Sequence, residues 1–309
     1  MKINFINLEI KENAINFLLK IAKRKIFNFI TRKSCGLFLR GGDLISADPQ
    51  IFGIHEKIVT KFIDTFSEDE YCDFLIDIGA NVGLTSCQNG PKFKKIYMFE
   101  PNPLCCKILE VNCSIALNKH NYNIYNYGLG NENKKNILTI PKKNWAGAFV
   151  RDELNAYNKE VLAKKDQLNE YKDSNYFEVD IELRDTKAEL DNIFKELEIK
   201  KFNKGVIKID VEGYESIILK GIAESIPSNF KTIIIFENWD KNFNKEKILD
   251  YFDNRAELFK IETEVPWKKS WPKAIKILSL FINGKFKTRG SNENIESWLG
   301  DLILAINSK

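Results

Sequence analysis

Histidine is nearly missing from this sequence of 309 residues, which holds only His55 and His120. That scarcity excludes histidine-rich metal sites and all but excludes a histidine general base. The six cysteines, Cys35, Cys72, Cys87, Cys105, Cys106 and Cys113, make no C-x-x-C pair and have no histidine at zinc spacing. Neither a structural zinc nor a disulfide framework is indicated, and a reducing cytoplasm is the expected setting. No apolar run approaches the roughly eighteen residues of a membrane span. Lys11, Lys20 and the cluster Lys23-Arg24-Lys25 interrupt every candidate signal-peptide core, so no secretory leader is expected. An excess of one charge is lacking too, since 47 basic residues stand against 43 acidic ones for a net charge of +4. That balance does not suggest a nucleic-acid partner, which needs a concentrated basic footprint. A chain of this length can bury about three quarters of its unfolded surface and needs no covalent staples.

What is present is organised around Phe74-Leu-Ile-Asp-Ile-Gly-Ala-Asn-Val-Gly-Leu84. Phe74 to Ile78 reads as a buried strand, Gly79 to Gly83 as a small-residue loop, and Ile96 to Phe99 as a second strand closing on Glu100. In doubly wound α/β folds such glycines let backbone approach a ligand, and an acid at the next strand tip accepts hydrogen bonds from ribose hydroxyls. A nucleoside cofactor is therefore expected. The glycine spacing is G-x-x-x-G and Asp77 lies just before it, whereas a dinucleotide loop reads G-x-G-x-x-G and cradles a pyrophosphate on a helix N-terminus. An acid here suits the ammonium of a methionine moiety and would repel a pyrophosphate. S-adenosylmethionine is thus favoured over a nicotinamide dinucleotide.

Before this motif, Ala14 to Ile30 has Ile15, Leu18, Leu19, Ala22, Ile26 and Phe29 at helical spacing, with Lys20, Lys23 and Arg24 largely off that stripe. Such an amphipathic helix can pack on the domain, pair with a second copy in a homodimer, or make a peripheral contact with an anionic membrane surface. Packing on the domain is the expectation. After Glu100, Pro101-Asn102-Pro103 starts a helix to about Leu117, and a strand from Asn123 to Tyr127 ends at Gly128. Tyr127 and Gly128 are candidate adenine neighbours, although a plain strand-end turn explains them equally well. Arg151 to Lys172 is a charge run that reads as a solvated surface helix, the alternative being a lid over the acceptor site.

The second anchor is Gly205-Val-Ile-Lys-Ile-Asp-Val-Glu-Gly-Tyr-Glu215. A buried strand delivers Asp210 at its carboxyl end, and the following turn brings Glu212 and Glu215 beside it. These acids and Lys208 crowd the edge where the cofactor is expected, more than helix capping requires. The next apolar strand, Thr232 to Phe236, ends in Glu237-Asn238, and a long excursion from Pro266 to Gly300 precedes a final strand, Asp301 to Ile306.

Together, Asp77-x-Gly-Ala-Asn-x-Gly83, Phe99-Glu-Pro-Asn-Pro103, Lys208-Ile-Asp-Val-Glu-Gly-Tyr-Glu215 and Glu237 resemble the FkbM family of S-adenosylmethionine-dependent methyltransferases over roughly residues 46 to 240. The resemblance implies a class I methyltransferase fold: α/β, with a seven-stranded Rossmann-like sheet, mostly parallel with the last strand antiparallel, and helices on both faces. It implies that Asp77, Gly79, Ala80, Asn81, Gly83, Glu100, Pro101, Asn102, Tyr127 and Gly128 bind the cofactor. It also implies methyl transfer to a hydroxyl, often on a sugar or another small-molecule scaffold. The expected organisation is an N-terminal helical extension over residues 1–70 and a methyltransferase domain over 71–309, with insertions near 141–176 and 266–300.

An alcohol needs its proton removed, which makes Asp210 or Glu212 the expected base, with Lys208 orienting it and Glu215 completing the catalytic cluster. A second expectation is a hard cation, Mg²⁺ or Ca²⁺, held by the oxygens of Asp210, Glu237 and Asn238. Competing readings of the whole chain are a catalytically silent methyltransferase fold that binds a partner and a nicotinamide-dependent oxidoreductase. Trp145, Trp267 and Trp271 are candidates to stack on the faces of a glycan acceptor.

Overall fold

The computed structural model describes residues 14–117, 121–165, 170–240, 243–253, 255–265, 271–272, 275–276, 287–296 and 298–307. His120, Trp267 and most of the 266–300 excursion lie outside the described residues.

Phe74–Ile78 forms β1, buried along its whole length. Lys95–Phe99 (β2) pairs parallel with one side of it, and Tyr122–Tyr125 (β3) pairs parallel with β2. Three further strands follow in the chain, Gly128–Gly130 (β4), Lys134–Pro141 (β5) and Phe149–Val150 (β6), and then a long one, Tyr176–Asp185 (β7). Lys204–Ile209 (β8) pairs parallel with the other side of β1, Asp77 opposite Lys208, and Lys231–Asn238 (β9) pairs parallel with β8. The near-continuous apolar runs of β1, β8 and β9 are what central parallel strands covered on both faces require. The remaining strands are Ala256–Glu264 (β10), Lys287–Ser291 (β11) and Gly300–Ile306 (β12).

The main sheet has the order β11-β10-β12-β9-β8-β1-β2-β3. As expected, the last strand, β12, runs antiparallel, inserted between β9 and β10. The strand count is corrected from seven to eight, because β11 adds an antiparallel edge beyond β10. A second correction concerns residues 128–185. The strand expected to run on through Tyr127 breaks after Tyr125, and β4, β7, β5 and β6 form a separate four-stranded sheet.

The helices are Ala14–Ile30 (α1), Ala47–Phe52 (α2), Lys57–Glu68 (α3), Leu84–Asn89 (α4), Pro103–Ala116 (α5), Lys159–Lys165 (α6), Thr186–Ile199 (α7), Glu215–Ser225 (α8) and Lys245–Tyr251 (α9). Leu190, Phe194, Ile218 and Ile222 of α7 and α8 pack with Phe74, Ile76 and Ile207 on one face of the sheet. Val59 and Ile63 of α3 and Leu109 and Cys113 of α5 pack with Leu75, Ile96 and Val206 on the other. The six cysteines are free, Cys87 and Cys113 meeting in that second core at 4.0 Å. No described helix is long and apolar enough to cross a membrane.

Two surface expectations change. From Leu18 to Ile30 every residue of α1 is exposed, so its apolar stripe does not pack on the domain. The Arg151 to Lys172 run is helical only over α6 among its described residues, and α6 buries Leu162 and Ala163 instead of floating in solvent.

Candidate active site

The carboxyl ends of β1, β2 and β8 open on one cleft, and the second sheet supplies its opposite wall. Gly79, Ala80, Asn81, Glu100, Pro101, Lys208, Asp210 and Glu212 line it together with Gly128, Leu138, Trp145, Phe149, Val150 and Leu183. Residues 145–150 thus supply part of that wall, through Trp145, Ala146, Ala148, Phe149 and Val150.

Gly79 shows why the loop needs glycine. Its φ is +86°, and a Cβ there would fall 2.0 Å from the carbonyl oxygen of Asp210. The two loops thus meet backbone to backbone, and the Asp210 amide donates to the Ile78 carbonyl at 2.9 Å. The amides of Gly79 and Ala80 both donate to the Phe99 carbonyl, at 2.9 and 3.0 Å. Gly83 is also left-handed, and its missing side chain makes room for Leu109 at the start of α4.

Glu100 is built into the loop from the far side. Its Oε2 accepts the Asn81 amide at 2.7 Å and its Oε1 the Asn102 amide at 2.7 Å. Asn81 is held at a φ of +51° by that bond. Burial raises the Glu100 carboxyl to about 7, and the two backbone donors offset only part of that rise. Asp77 is fully buried under the loop rather than on the cleft wall. Its Oδ2 accepts the Ser86 hydroxyl at 2.6 Å, while its Oδ1 has no hydrogen-bond partner among the described residues. Asn81 Oδ1 and Trp145 Nε1, both on residues of the cleft wall, are likewise buried without partners. Unpaired buried acceptors and a donor around a backbone cradle fit a ligand carrying an ammonium, hydroxyls and ring nitrogens. S-adenosylmethionine is such a molecule.

Other sequence candidates have different work. Asn102 is buried, caps α5 by accepting the Leu104 amide, and donates to Cys105 Sγ. Tyr127 points into the core, its hydroxyl donating to Glu189 Oε2 at 2.7 Å with Arg184 stacked on its ring. Gly128 does line the cleft.

At the acidic end, Lys208 Nζ lies 2.7 Å from Asp210 Oδ2 and 3.4 Å from Glu56 Oε2. Burial alone would raise the Asp210 carboxyl, but Lys208 and Lys165 overcome it and hold Asp210 below the usual range. Lys165, at the end of α6, was not a candidate from sequence. Its Nζ sits 2.7 Å from both Glu212 Oε2 and Glu237 Oε2. Burial lifts Glu212 to about 7 against the pull of Lys165. Glu215 reaches about 8, through burial first and the charge of Glu212 next, and accepts the Tyr157 hydroxyl at 3.0 Å. Asn155 ties the same layer down, donating to the carbonyls of Val150 and Glu212 at 2.8 Å each. His55, set aside on composition, also lines the cleft, and burial keeps its imidazole below the ordinary histidine value and therefore neutral at neutral pH. The order Asp48-Pro-Gln-Ile-Phe-Gly-Ile-His55 gave no signal that its end would reach this wall.

The expected metal set is not assembled. Asp210 is engaged by Lys208, and Glu237 by Lys165. Asn238 spends its amide on the Trp298 carbonyl and its oxygen on the Asp240 amide. Among the described residues no three His, Cys, Asp or Glu side chains are disposed to hold a metal ion. A lysine ammonium stands between the carboxylates where a hard cation was expected.

Glu215 yields a stability prediction. Its folded value of about 8 lies above the ordinary 4.5, so its stabilising contribution is complete below the unfolded value and is lost as pH rises through about 8. The thermal midpoint is expected to fall between about pH 5 and pH 9, and less steeply in Glu215→Gln, which keeps an acceptor for Tyr157. Differential scanning calorimetry across that range checks this, and parallel curves would remove Glu215 as a source.

The chain is 27% identical over 220 residues to the methyltransferase sdnD of Sordaria araneosa, covering 64% of this chain and 82% of that one. Among solved structures it is similar to the methyltransferase FkbM of Methylobacillus flagellatus KT, with 12% identity, 93% of this chain and 60% of that chain covered, and a TM-score of 0.38. It is also similar to an O-methyltransferase from Bacillus cereus in complex with SAH, with 11% identity, 97% and 93% coverage, and a TM-score of 0.35. The family model described as the methyltransferase FkbM domain matches residues 77–261, from the acid under the glycine loop to the strand beyond the Glu237 tip, and the chain belongs to that family.

Proposed function

We propose that this protein transfers a methyl group from S-adenosylmethionine to a hydroxyl oxygen of a sugar, a glycan or its precursor, with Asp210 as the base. When bound, the cofactor supplies an electrophilic methyl on a sulfonium. The chain holds it against the Gly79–Asn81 loop and Glu100, with Asp77 buried beneath that loop.

The observation that carries the reading is the junction of Gly79 with Asp210. It sets the cofactor loop and a charged carboxylate side by side on one cleft, where an acceptor oxygen can be positioned between them; such positioning alone can remove several kcal/mol of barrier. Between the two acids, accessibility decides. The Asp210 side chain is 35% exposed and that of Glu212 only 7%, the latter also occupied by Lys165. Glu212, near 7, is better matched as a proton acceptor, but an acceptor hydroxyl reaches Asp210 more readily. Asp210 stays charged across the neutral range because Lys208 holds it so. Lys208 fixes one of its oxygens and leaves the other to the acceptor. Trp145 on the opposite wall, with the Arg40 guanidinium stacked over its ring at 4.4 Å, brings to the cleft an Nε1–H without a partner among the described residues, a donor for the polar rim of a sugar ring.

Calorimetric titration with S-adenosylhomocysteine and, separately, with NAD⁺ tests the cofactor. Micromolar binding of the first, about −8 kcal/mol, and none of the second are expected. Nucleotide-linked sugars and free glycans then serve as acceptors in a methyl-transfer assay. No binding of S-adenosylhomocysteine would turn the reading toward a silent fold that serves as a binding module.

A further inference from the structure

The balanced charge of the whole chain hides a strongly segregated end. Between residues 14 and 42 there are seven lysines and arginines, Lys20, Lys23, Arg24, Lys25, Arg32, Lys33 and Arg40, and no aspartate or glutamate. The net charge of the full chain is only +4, so the rest is net acidic. The apolar side chains of α1 accompany this charge into solvent, Leu18 being 64% and Phe29 65% exposed, with Ile15, Leu19 and Ile26 also exposed. At helical spacing these residues form one stripe, bordered by Lys23 on one side and Lys25 on the other, with Arg24 opposite. The stripe is an exposed apolar face rimmed by charge, the kind of surface that marks an interaction site.

We propose that α1 is a docking helix for membrane surfaces rich in anionic lipid, lying in the interface with its stripe among the acyl chains and its lysines at the phosphates. Three observations select that occupant. Anionic headgroups neutralise the flanking cations while the hydrocarbon beneath them takes Leu18, Ile26 and Phe29, which is the arrangement of an interfacial amphipathic helix. A second copy of the chain would cover the stripe, but it would bring the Lys23-Arg24-Lys25 clusters of two helices within a Debye length of about 8 Å of each other. A nucleic acid would pair the cations and leave the stripe in water. The helix is too short and too charged to span the bilayer, so it lies on the surface.

The helix is also coupled to the domain. Immediately after it, Cys35 donates its amide to the Pro49 carbonyl at 3.1 Å. The Phe38 backbone makes two hydrogen bonds with Asn112 of α5, and the same segment reaches the cleft wall at Ile45 and His55. Docking therefore holds the catalytic domain against the bilayer without a long flexible linker.

Flotation of the full-length protein with sized vesicles tests the proposal. One set contains phosphatidylcholine with about 30 mol% phosphatidylglycerol and the other phosphatidylcholine alone, at about 0.1 and 0.5 M NaCl. Binding to the anionic vesicles is expected to exceed binding to the neutral ones by about tenfold or more and to weaken in the higher salt. The triple variant Lys23→Glu, Arg24→Glu, Lys25→Glu and the double variant Leu18→Gln, Phe29→Gln are each expected to lose about tenfold or more of it. Unchanged thermal midpoints show that these variants remain folded. Equal binding to neutral vesicles, no binding to anionic ones, or undiminished binding by both variants overturns the proposal. So does sedimentation equilibrium showing a dimer that the double variant abolishes, which would assign the stripe to a second copy.

Discussion

Replacing Asp210 by asparagine is expected to lower kcat by about two to four orders of magnitude and to leave the affinity for S-adenosylhomocysteine within about twofold. Asparagine keeps the shape of the side chain and an oxygen for Lys208, but it cannot take a proton from the acceptor. Lys208 is not stranded, because Glu56 Oε2 remains 3.4 Å away. The backbone carbonyl of residue 210, against which Gly79 packs, is untouched. A loss confined to kcat therefore separates proton removal from cofactor binding and from folding. Single-turnover kinetics at saturating cofactor make the measurement. If turnover were unchanged, the base would lie elsewhere in the cleft, whose lining also holds Glu212 near 7 and the neutral His55.

The parts of this site that could be read in the sequence are those where strand, turn and acid are contiguous. Phe74 to Gly83, Phe99-Glu100 and Lys208 to Glu212 each carry an apolar run ending in a small or acidic residue. An apolar run in a parallel sheet must end at the edge where ligands bind. The family motifs fall on these same segments. Side-chain direction was harder to read, because a residue at the right spacing can be claimed by a neighbour. Asn102 is used as a helix cap, and Tyr127 turns to Glu189.

The pairing of the second sheet's strands, of which Lys134–Pro141 and Phe177 to Leu183 read as strands, and the place of Lys165 were illegible for a different reason. Their partners are remote in sequence, as in the Lys165 to Glu237 contact across 72 residues, and the charge run around α6 has the same local pattern whether its lysines meet water or buried glutamates. The metal expectation failed at that point. Oxygen ligands on adjacent strand tips predict a cation, and only the fold shows that the cations are ammoniums, Lys208 of β8 at Asp210 and Lys165 of α6 at Glu237. The stripe on α1 is the converse case: periodicity identified the face correctly, but nothing local states whether another element covers it.

Glu100 should give the largest effect on cofactor binding, and its titration makes the effect specific. The carboxylate accepts the Asn81 and Asn102 amides, both at 2.7 Å. Removing it in Glu100→Ala leaves two buried backbone donors unpaired, at a cost of about 1–3 kcal/mol each, and frees Asn81 from its left-handed conformation. Loss of about a hundredfold or more in affinity for S-adenosylhomocysteine is expected, since charge-assisted bonds to ribose hydroxyls are worth about 1.5–3 kcal/mol each. In the free protein burial holds this carboxyl at about 7, so near neutrality a large fraction carries a proton. Hydroxyls that donate to it favour the charged form, so binding expels that proton. Affinity should therefore rise from about pH 6 to about pH 8 and then level off, with the heat of binding near pH 7 depending on the ionisation enthalpy of the buffer. In Glu100→Gln the group no longer titrates, so its affinity should be lower and the pH-dependent rise lost. Titration calorimetry of the wild type and Glu100→Gln in phosphate and Tris reads both quantities. A wild-type affinity that ignores pH, or a rise that survives in the glutamine variant, would show that the ribose is held by another group.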